Sequence, residues 1–138
     1  PALSSAASDV YKRQILAWGD NRHNPPEEVW AAVSDIDIVL LPIDDSQHVI
    51  SFAHAKGIIE RLSPSIIIPH HYYIFDVTVR QSTLQPADGW LTTQANVVRL
   101  TNSSVTYQPK DLINVDKRID FFDGNVAFDK KKWLSNSR

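Results

Sequence analysis

The sequence predicts an α/β fold built on a parallel sheet, and the pattern of its apolar segments carries this prediction. Short runs rich in Ile, Val and Leu alternate with segments of helical periodicity, and the connections between them are short. Such alternation implies right-handed crossovers between parallel strands, whose carboxyl ends lie along one edge of the sheet. The chain has 138 residues, enough for one domain with a hydrophobic core.

The first predicted strand spans residues 15–18 and turns at Gly19-Asp20. A short helix is predicted next, with Asn24 as its N-cap and the following two prolines in its first turn, where proline is tolerated. Val29, Trp30 and Val33 then lie on one face of this helix.

Residues 36–41 alternate at Asp37 and then become a continuous apolar run, which predicts a buried parallel strand that ends at Pro42. Ser51 is predicted to cap the next helix, and the strand after it is predicted over residues 65–68, ending at Pro69 because proline cannot donate to a ladder. The apolar stripe of that helix consists of Phe52, Ala55, Ile58, Ile59 and Leu62.

The pattern is weaker after residue 73. It predicts a short helix within residues 86–93, a hairpin of strands 96–100 and 104–108, and a further strand or docked tail within 111–129. The run Lys130-Lys131-Lys132 is interpreted as a solvated segment near a frayed terminus.

The composition limits the partners and the compartment. With 14 basic and 16 acidic side chains the chain has no basic field for nucleic acid, and no apolar run approaches the roughly 20 residues of a membrane span. We therefore expect a small-molecule substrate and leave the oligomeric state open. The absence of cysteine rules out disulfides and thiolate metal sites and fits a reducing, cytoplasmic location.

Residues 1–14 are interpreted as an artefact. The string from Ser4 to Gln14 resembles the in-frame translation of an adapter used to prepare sequencing libraries, and such segments are excluded from fold reasoning. A natural Ser/Ala-rich helical lead-in is the alternative. We expect the natural sequence to begin near Ile15, part-way through a gene, so that residues 15–138 form a partial domain.

Three predicted strand ends carry side chains suited to metal or acid–base chemistry. They are Asp20, His48 in the loop after the second strand, and the pair His70-His71 after the third. Carboxylate oxygen and imidazole nitrogen bind zinc and related metals, and imidazole carries protons near neutral pH. Because neighbouring residues of an extended strand point to opposite sides, at most one of the two adjacent histidines is expected to face a shared site. His23 and His54 are predicted to be ordinary surface side chains.

Other catalytic patterns are missing from the sequence. There is no Gly-x-Ser-x-Gly elbow, no Gly-rich phosphate loop and no dinucleotide fingerprint.

Three pieces of the sequence, in this order and spacing, resemble the C-terminal half of the metallo-β-lactamase superfamily, most closely its lactonase-like and phosphodiesterase-like branch. The pieces are Ala17 to Asn21, Ile36 to Ile43 and Leu62 to Tyr72. The resemblance implies the C-terminal half of an αββα sandwich, with two metal ions, usually zinc, between its sheets. It also implies that a hydroxide held by the metals attacks an ester, lactone, amide or phosphodiester centre.

The resemblance assigns roles by position. Asp20 matches the carboxylate that bridges the metals, His71 matches the last histidine ligand, and His48 matches a loop histidine near the substrate. The His-x-His-x-Asp-His motif of the superfamily is absent from this sequence and would precede Ile15. The resemblance therefore implies a binuclear metal-dependent hydrolase in the intact parent, and we expect the chain alone to be inactive.

A non-catalytic binding or signalling module is the alternative function. Residues 36–45 also resemble the acid-tipped strand of a doubly wound signalling domain, where Asp44 or Asp45 would accept a phosphoryl group. Such a domain would also carry a lysine at a later strand end, where this chain has Pro69-His70-His71.

Overall fold

The computed structural model describes residues 12–46, 48–74 and 82–123. Most of the predicted adapter segment, Gly124 and the lysine run 130–132 therefore lie outside the described residues. The strands are β1 (Ile15–Ala17), β2 (Ile38–Pro42), β3 (Ile66–His70), β4 (Val97–Leu100) and β5 (Arg118–Phe122). The helices are α1 (Glu27–Ala32), α2 (Phe52–Leu62) and α3 (Asp88–Leu91), and Pro109–Leu112 forms a 3₁₀ turn.

The five strands form one sheet in the order β1-β2-β3-β5-β4, and every neighbouring pair is parallel. This confirms the predicted α/β class. The first three strands are adjacent in chain order, so their carboxyl ends lie side by side, as the alternation of strands and helices requires.

The main core lies between the sheet and its helices. Ser51 caps α2 by accepting a hydrogen bond from the His54 N–H, as predicted, and Ser63 ends the helix in a left-handed conformation. The helix buries Ala55, Ile58, Ile59 and Leu62 against the sheet residues Val39, Leu41, Ile67, Ile119 and Phe121. On the opposite face Ile38 and Ile66 pack with Leu112, which belongs to the 3₁₀ turn.

The predicted cap of the first helix is wrong. Pro26, not Asn24, is the N-cap residue of α1, and it makes no side-chain cap hydrogen bond. Asn24 and Pro25 both precede a proline, which disfavours helical backbone at both positions, so the helix cannot begin before Pro26.

The predicted end of the third strand is also wrong, because β3 runs through Pro69 to His70. The His70 carbonyl accepts from Ile43 N–H on the β2 side, so the Pro69 nitrogen faces the β5 side. There β5 pairs only with Ile66 and Ile67. No ladder bond is therefore lost at Pro69, and the strand tolerates the proline.

The predicted hairpin does not form. β4 pairs in parallel with β5, while residues 104–108 are not a strand. Tyr107 in that segment donates instead to Asp120 of β5, at 2.7 Å. The crossover from β4 to β5 thus passes over the sheet face that carries Asp120.

No helix within the described residues is long and apolar enough to cross a membrane.

Candidate metal centre

The predicted site residues follow the carboxyl ends of β1, β2 and β3, which are neighbours in the sheet. In a parallel sheet this edge is where ligands bind. The structure brings Asp20, His48 and His71 to this edge within one cluster of side chains.

Asp20 lies in a tight turn after β1. Gly19 adopts φ +61°, a conformation that glycine tolerates best. The turn is closed from both sides, since the Trp18 indole N–H donates to the Asn21 carbonyl at 3.0 Å and the Asn21 amide donates to the Trp18 carbonyl. Trp18 is itself buried in the core, so the turn fixes the backbone at Asp20, whose side chain is exposed.

His71 makes the contact with Asp20. Its Nδ1 lies 3.3 Å from Asp20 Oδ1, and its side chain is 27% exposed against 74% for that of Asp20. The extended backbone assumed for the His70-His71 pair ends at His70, because His71 is left-handed with φ 55°. The alternation expected for an extended strand therefore does not apply to these two rings.

His70, the residue before His71, is half-buried. Burial lowers its pKa, and the neighbouring His71 lowers it further. A hydrogen bond with the Leu40 backbone and the charge of Asp20 act in the opposite direction. His70 thus joins the end of β3 to β2, and its ring centroid lies 6.5 Å from that of His71.

His48 reaches the same edge from the loop after β2. Its ring meets that of His71 edge-on, with 6.1 Å between the ring centroids. The backbone N–H of His48 donates to Ser46 Oγ at 3.0 Å, and that hydroxyl donates to the buried Asp44 carboxylate. The other oxygen of Asp44 accepts from Ile50 N–H at 3.1 Å. A buried carboxylate therefore organises the loop that presents His48.

The donors of Asp20 and His71 suit a zinc ion. With bonds of about 2.0–2.2 Å, a tetrahedral zinc places two of its donor atoms about 3.4 Å apart. The oxygen and nitrogen here are 3.3 Å apart. In the described ranges no group of three or more His, Cys, Asp or Glu side chains could hold a metal ion. The spacing of the pair is thus compatible with two positions of a zinc coordination sphere.

Two other histidines form a contact that the sequence did not suggest. The rings of His23 and His54 are stacked with 3.4 Å between their centroids and 1° between their planes. Both side chains are exposed, as expected, but the stack connects the loop after β1 with the first turn of α2. No spacing or motif signals this pair, because the two residues lie on separate elements.

The geometry of Asp44 bears on the signalling alternative. Asp44 is fully buried, and each of its carboxylate oxygens accepts a hydrogen bond. Asp45 is exposed, and its Oδ1 accepts from Phe52 N–H at the start of α2. Asp44 therefore offers no open carboxylate for phosphoryl transfer, whereas the exposed Asp45, which accepts this bond at one of its two oxygens, leaves the signalling alternative open at that position.

Comparison with solved structures identifies a Thermotoga maritima protein that is assigned to the Zn-dependent hydrolases of the metallo-β-lactamase superfamily. The TM-score is 0.58 at 23% sequence identity, and the match covers 75% of this chain. It covers 49% of the other structure, so this chain spans about half the length of the protein it resembles. No protein-family model matches the sequence, and no curated protein does. At this identity the match shows the fold, a partial metallo-β-lactamase-type fold.

Proposed function

We propose that the parent protein is a metal-dependent hydrolase of the metallo-β-lactamase superfamily and that this chain supplies part of its site. The observation that carries the proposal is the 3.3 Å contact between Asp20 and His71 at the carboxyl edge of the sheet. The likeness of fold to a protein assigned to the Zn-dependent hydrolases supports it. Zinc is the proposed metal, with two ions in the parent, and Asp20 would be one of the residues that hold them.

Asp20 and His71 would hold the metal, which when bound supplies a Lewis acid and lowers the pKa of water. Asp20 contributes negative charge from a turn that is closed by Trp18 and Asn21. His71 presents Nδ1 to the same point, because its backbone turns at the end of β3.

His48 is proposed to act on the substrate rather than on the metal. Its ring stands beside His71, and an imidazole N–H there can donate to an oxygen that gains negative charge during hydrolysis of an ester, lactone, amide or phosphodiester. The hydrogen bonds through Ser46 to Asp44 hold this loop in place before a substrate arrives.

Zinc affinity tests the proposal. The full chain is titrated against a chromophoric zinc chelator at neutral pH, beside Asp20→Ala, His71→Ala and His48→Ala. We expect the first two changes to weaken zinc binding at least about tenfold, since each removes one of two donors. His48→Ala is expected to leave the affinity unchanged.

The matched control is Asp116→Ala, which removes an exposed carboxylate before β5, at the opposite end of the strands. It is expected to bind zinc as the unaltered chain does. Equal zinc affinity in Asp20→Ala, His71→Ala and the unaltered chain would contradict the assignment of these two residues.

A further inference from the structure

A second group of polar side chains lines a groove beside the candidate metal centre. The groove has a volume of about 460 Å³ and lies between the loop after β1 and the first turn of α2. It is lined by Arg22, His23, Asp45, Ser46, His48, Val49, Ser51 and His54. Since His48 also meets His71, the groove is continuous with the edge that carries Asp20 and His71.

Arg22 is the one side chain in this lining that carries a permanent positive charge, and its guanidinium is free. Among the residues that the structure describes it has neither an ion pair nor a hydrogen bond. This distinguishes it from Arg13, Arg61 and Arg99, each of which pairs with a carboxylate. An unpaired guanidinium presents a planar fork of donors that matches a carboxylate or a phosphate.

The backbone around Arg22 is held from both sides. On one side the Trp18 and Asn21 hydrogen bonds close the turn, and on the other His23 is stacked on His54. A loop fixed in this way loses little conformational freedom when a ligand binds, which favours binding.

The other groups in the groove fit an anion as well. Imidazole N–H groups of His23, His48 or His54 and the hydroxyl of Ser51 can act as donors. The one carboxylate in the lining, Asp45, accepts from the Phe52 N–H at 2.9 Å, and the positive end of the α2 dipole offsets part of its charge.

We propose that this groove is the subsite for an acidic group of the substrate, a carboxylate or a phosphate, with Arg22 as its main partner. The proposal rests on the hydrolase function proposed above, because that function makes the neighbouring edge the reacting centre. It narrows the substrate to compounds that carry a negative group close to the bond that is cleaved. Arg22 also borders an apolar cavity of about 420 Å³ lined by Leu16, Trp18 and Val29.

Anion titrations followed by NMR test the subsite. The ¹⁵N-labelled full chain is titrated in metal-free buffer with phenyl phosphate, benzoate and the neutral benzyl alcohol, all three aromatic because of the apolar cavity. We expect at least one anion to shift the Arg22 side-chain signal and the amides of His23 and His54, and benzyl alcohol to shift none of them. The anion that binds more tightly identifies the kind of acidic group.

Substitutions locate the binding. Arg22→Gln is expected to weaken the tighter anion at least about tenfold, the loss of one charge-assisted contact. Arg22→Lys keeps the charge but loses the fork, and is expected to bind with intermediate affinity. Arg99→Gln is the matched control, because Arg99 lies on β4 at the other edge of the sheet, and it is expected to bind as the unaltered chain does. Equal affinity in Arg22→Gln and the unaltered chain would overturn the subsite, as would equal shifts with benzyl alcohol.

The two proposals fail separately. Asp20→Ala is expected to lose zinc affinity while it binds the anion equally or more tightly in metal-free buffer. If anions bind through Arg22 but zinc affinity does not depend on Asp20, the anion subsite is supported and the hydrolase assignment is contradicted. If zinc binding depends on Asp20 but no anion shifts the Arg22 side-chain signal, the anion subsite is contradicted and the hydrolase assignment is supported.

Discussion

Two carboxylates in the described residues are buried, and different donors satisfy them. Asp44 accepts from a hydroxyl and a backbone N–H, whereas Asp120 accepts from the Arg118 guanidinium and the Tyr107 phenol. A buried charge is costly unless hydrogen bonds compensate it. None of the described buried side-chain nitrogen or oxygen atoms lacks a partner. Each of the two carboxylates therefore stabilises the conformation of the segments that donate hydrogen bonds to it. Substituting either carboxylate tests that contribution.

We expect Asp44→Ala to lower the free energy of unfolding by about 1–3 kcal/mol, because the Ile50 N–H would remain buried without an acceptor. Asp44→Asn retains one acceptor oxygen and is expected to lose less. Urea unfolding of both variants beside Asp116→Ala, an exposed control, measures the difference. Equal stabilities of Asp44→Ala and Asp116→Ala would show that the loop does not depend on this carboxylate.

Tyr107 gives a pH dependence whose sign can be stated. Burial raises the pKa of its phenol, and the hydrogen bond to Asp120 raises it further. The folded chain therefore keeps this proton at a pH where the unfolded chain, with a tyrosine pKa of about 10, has lost it. The stabilisation by Tyr107 is complete below pH of about 10 and is lost as the pH rises toward the folded-state pKa.

Tyr107→Phe tests this effect. At neutral pH the variant is expected to be less stable by about 1 kcal/mol, since Asp120 loses a donor. The stability difference between the two proteins should then shrink above pH of about 10 in urea unfolding at a series of pH values. A difference that stays constant through that range would mean that the phenol titrates alike in both states.

At the scale of single elements, alanine substitutions at two glycines are expected to change the stability in opposite directions. Gly57 lies inside α2, and a Cβ added there meets no atom within 4 Å, whereas Gly19 has φ +61° in the Asp20 turn. Gly57→Ala is therefore expected to stabilise the chain by about 0.5–1 kcal/mol, because alanine has less conformational entropy than glycine in the unfolded chain and so loses less on folding. Gly19→Ala is expected to destabilise it by about 1–2 kcal/mol. Thermal unfolding of both variants checks the signs, and the same sign for both would refute the argument.

The sequence predicted those elements whose signals are local. The three strands before residue 71 and helix α2 follow from apolar runs, caps and prolines that lie within a few residues of each other. The pairing of β4 with β5 was missed, because it depends on a crossover whose Tyr107 contacts Asp120. A local turn signal at Thr101-Asn102-Ser103 predicted a hairpin there instead, and tertiary contacts prevailed over it.

The same distinction holds for the candidate site. That Asp20 and His71 would approach each other followed from parallel topology together with the family resemblance, although their roles stay predictions. The stacked pair His23 and His54 and the free Arg22 had no sequence signal. Their positions depend on how the loop after β1 lies against α2, a tertiary contact without a local pattern.

At the scale of the whole molecule, the ligand set is the decisive feature. The described residues bring two well-placed donors together, and this chain matches 49% of the structure it resembles. Under the proposed function, the remaining ligands are expected before Ile15, within a His-x-His-x-Asp-His motif. Two donors hold zinc less firmly than the three or four of a complete site. The proposal therefore makes separate predictions for this chain and for its parent.

The chain alone is expected to show no zinc-stimulated hydrolysis of lactone, ester or phosphodiester substrates, because its described residues bring together two of the donors that the proposed site needs. Reading the source DNA upstream of the Ile15 codon is expected to reveal the His-x-His-x-Asp-His motif in frame, and the longer protein is expected to hydrolyse one of these substrates with added zinc. Asp20→Ala in that longer protein should abolish the activity.

Zinc-dependent turnover by the short chain that disappears in Asp20→Ala would contradict the incomplete site. An open upstream frame without the motif would remove the metal hypothesis and favour a binding module.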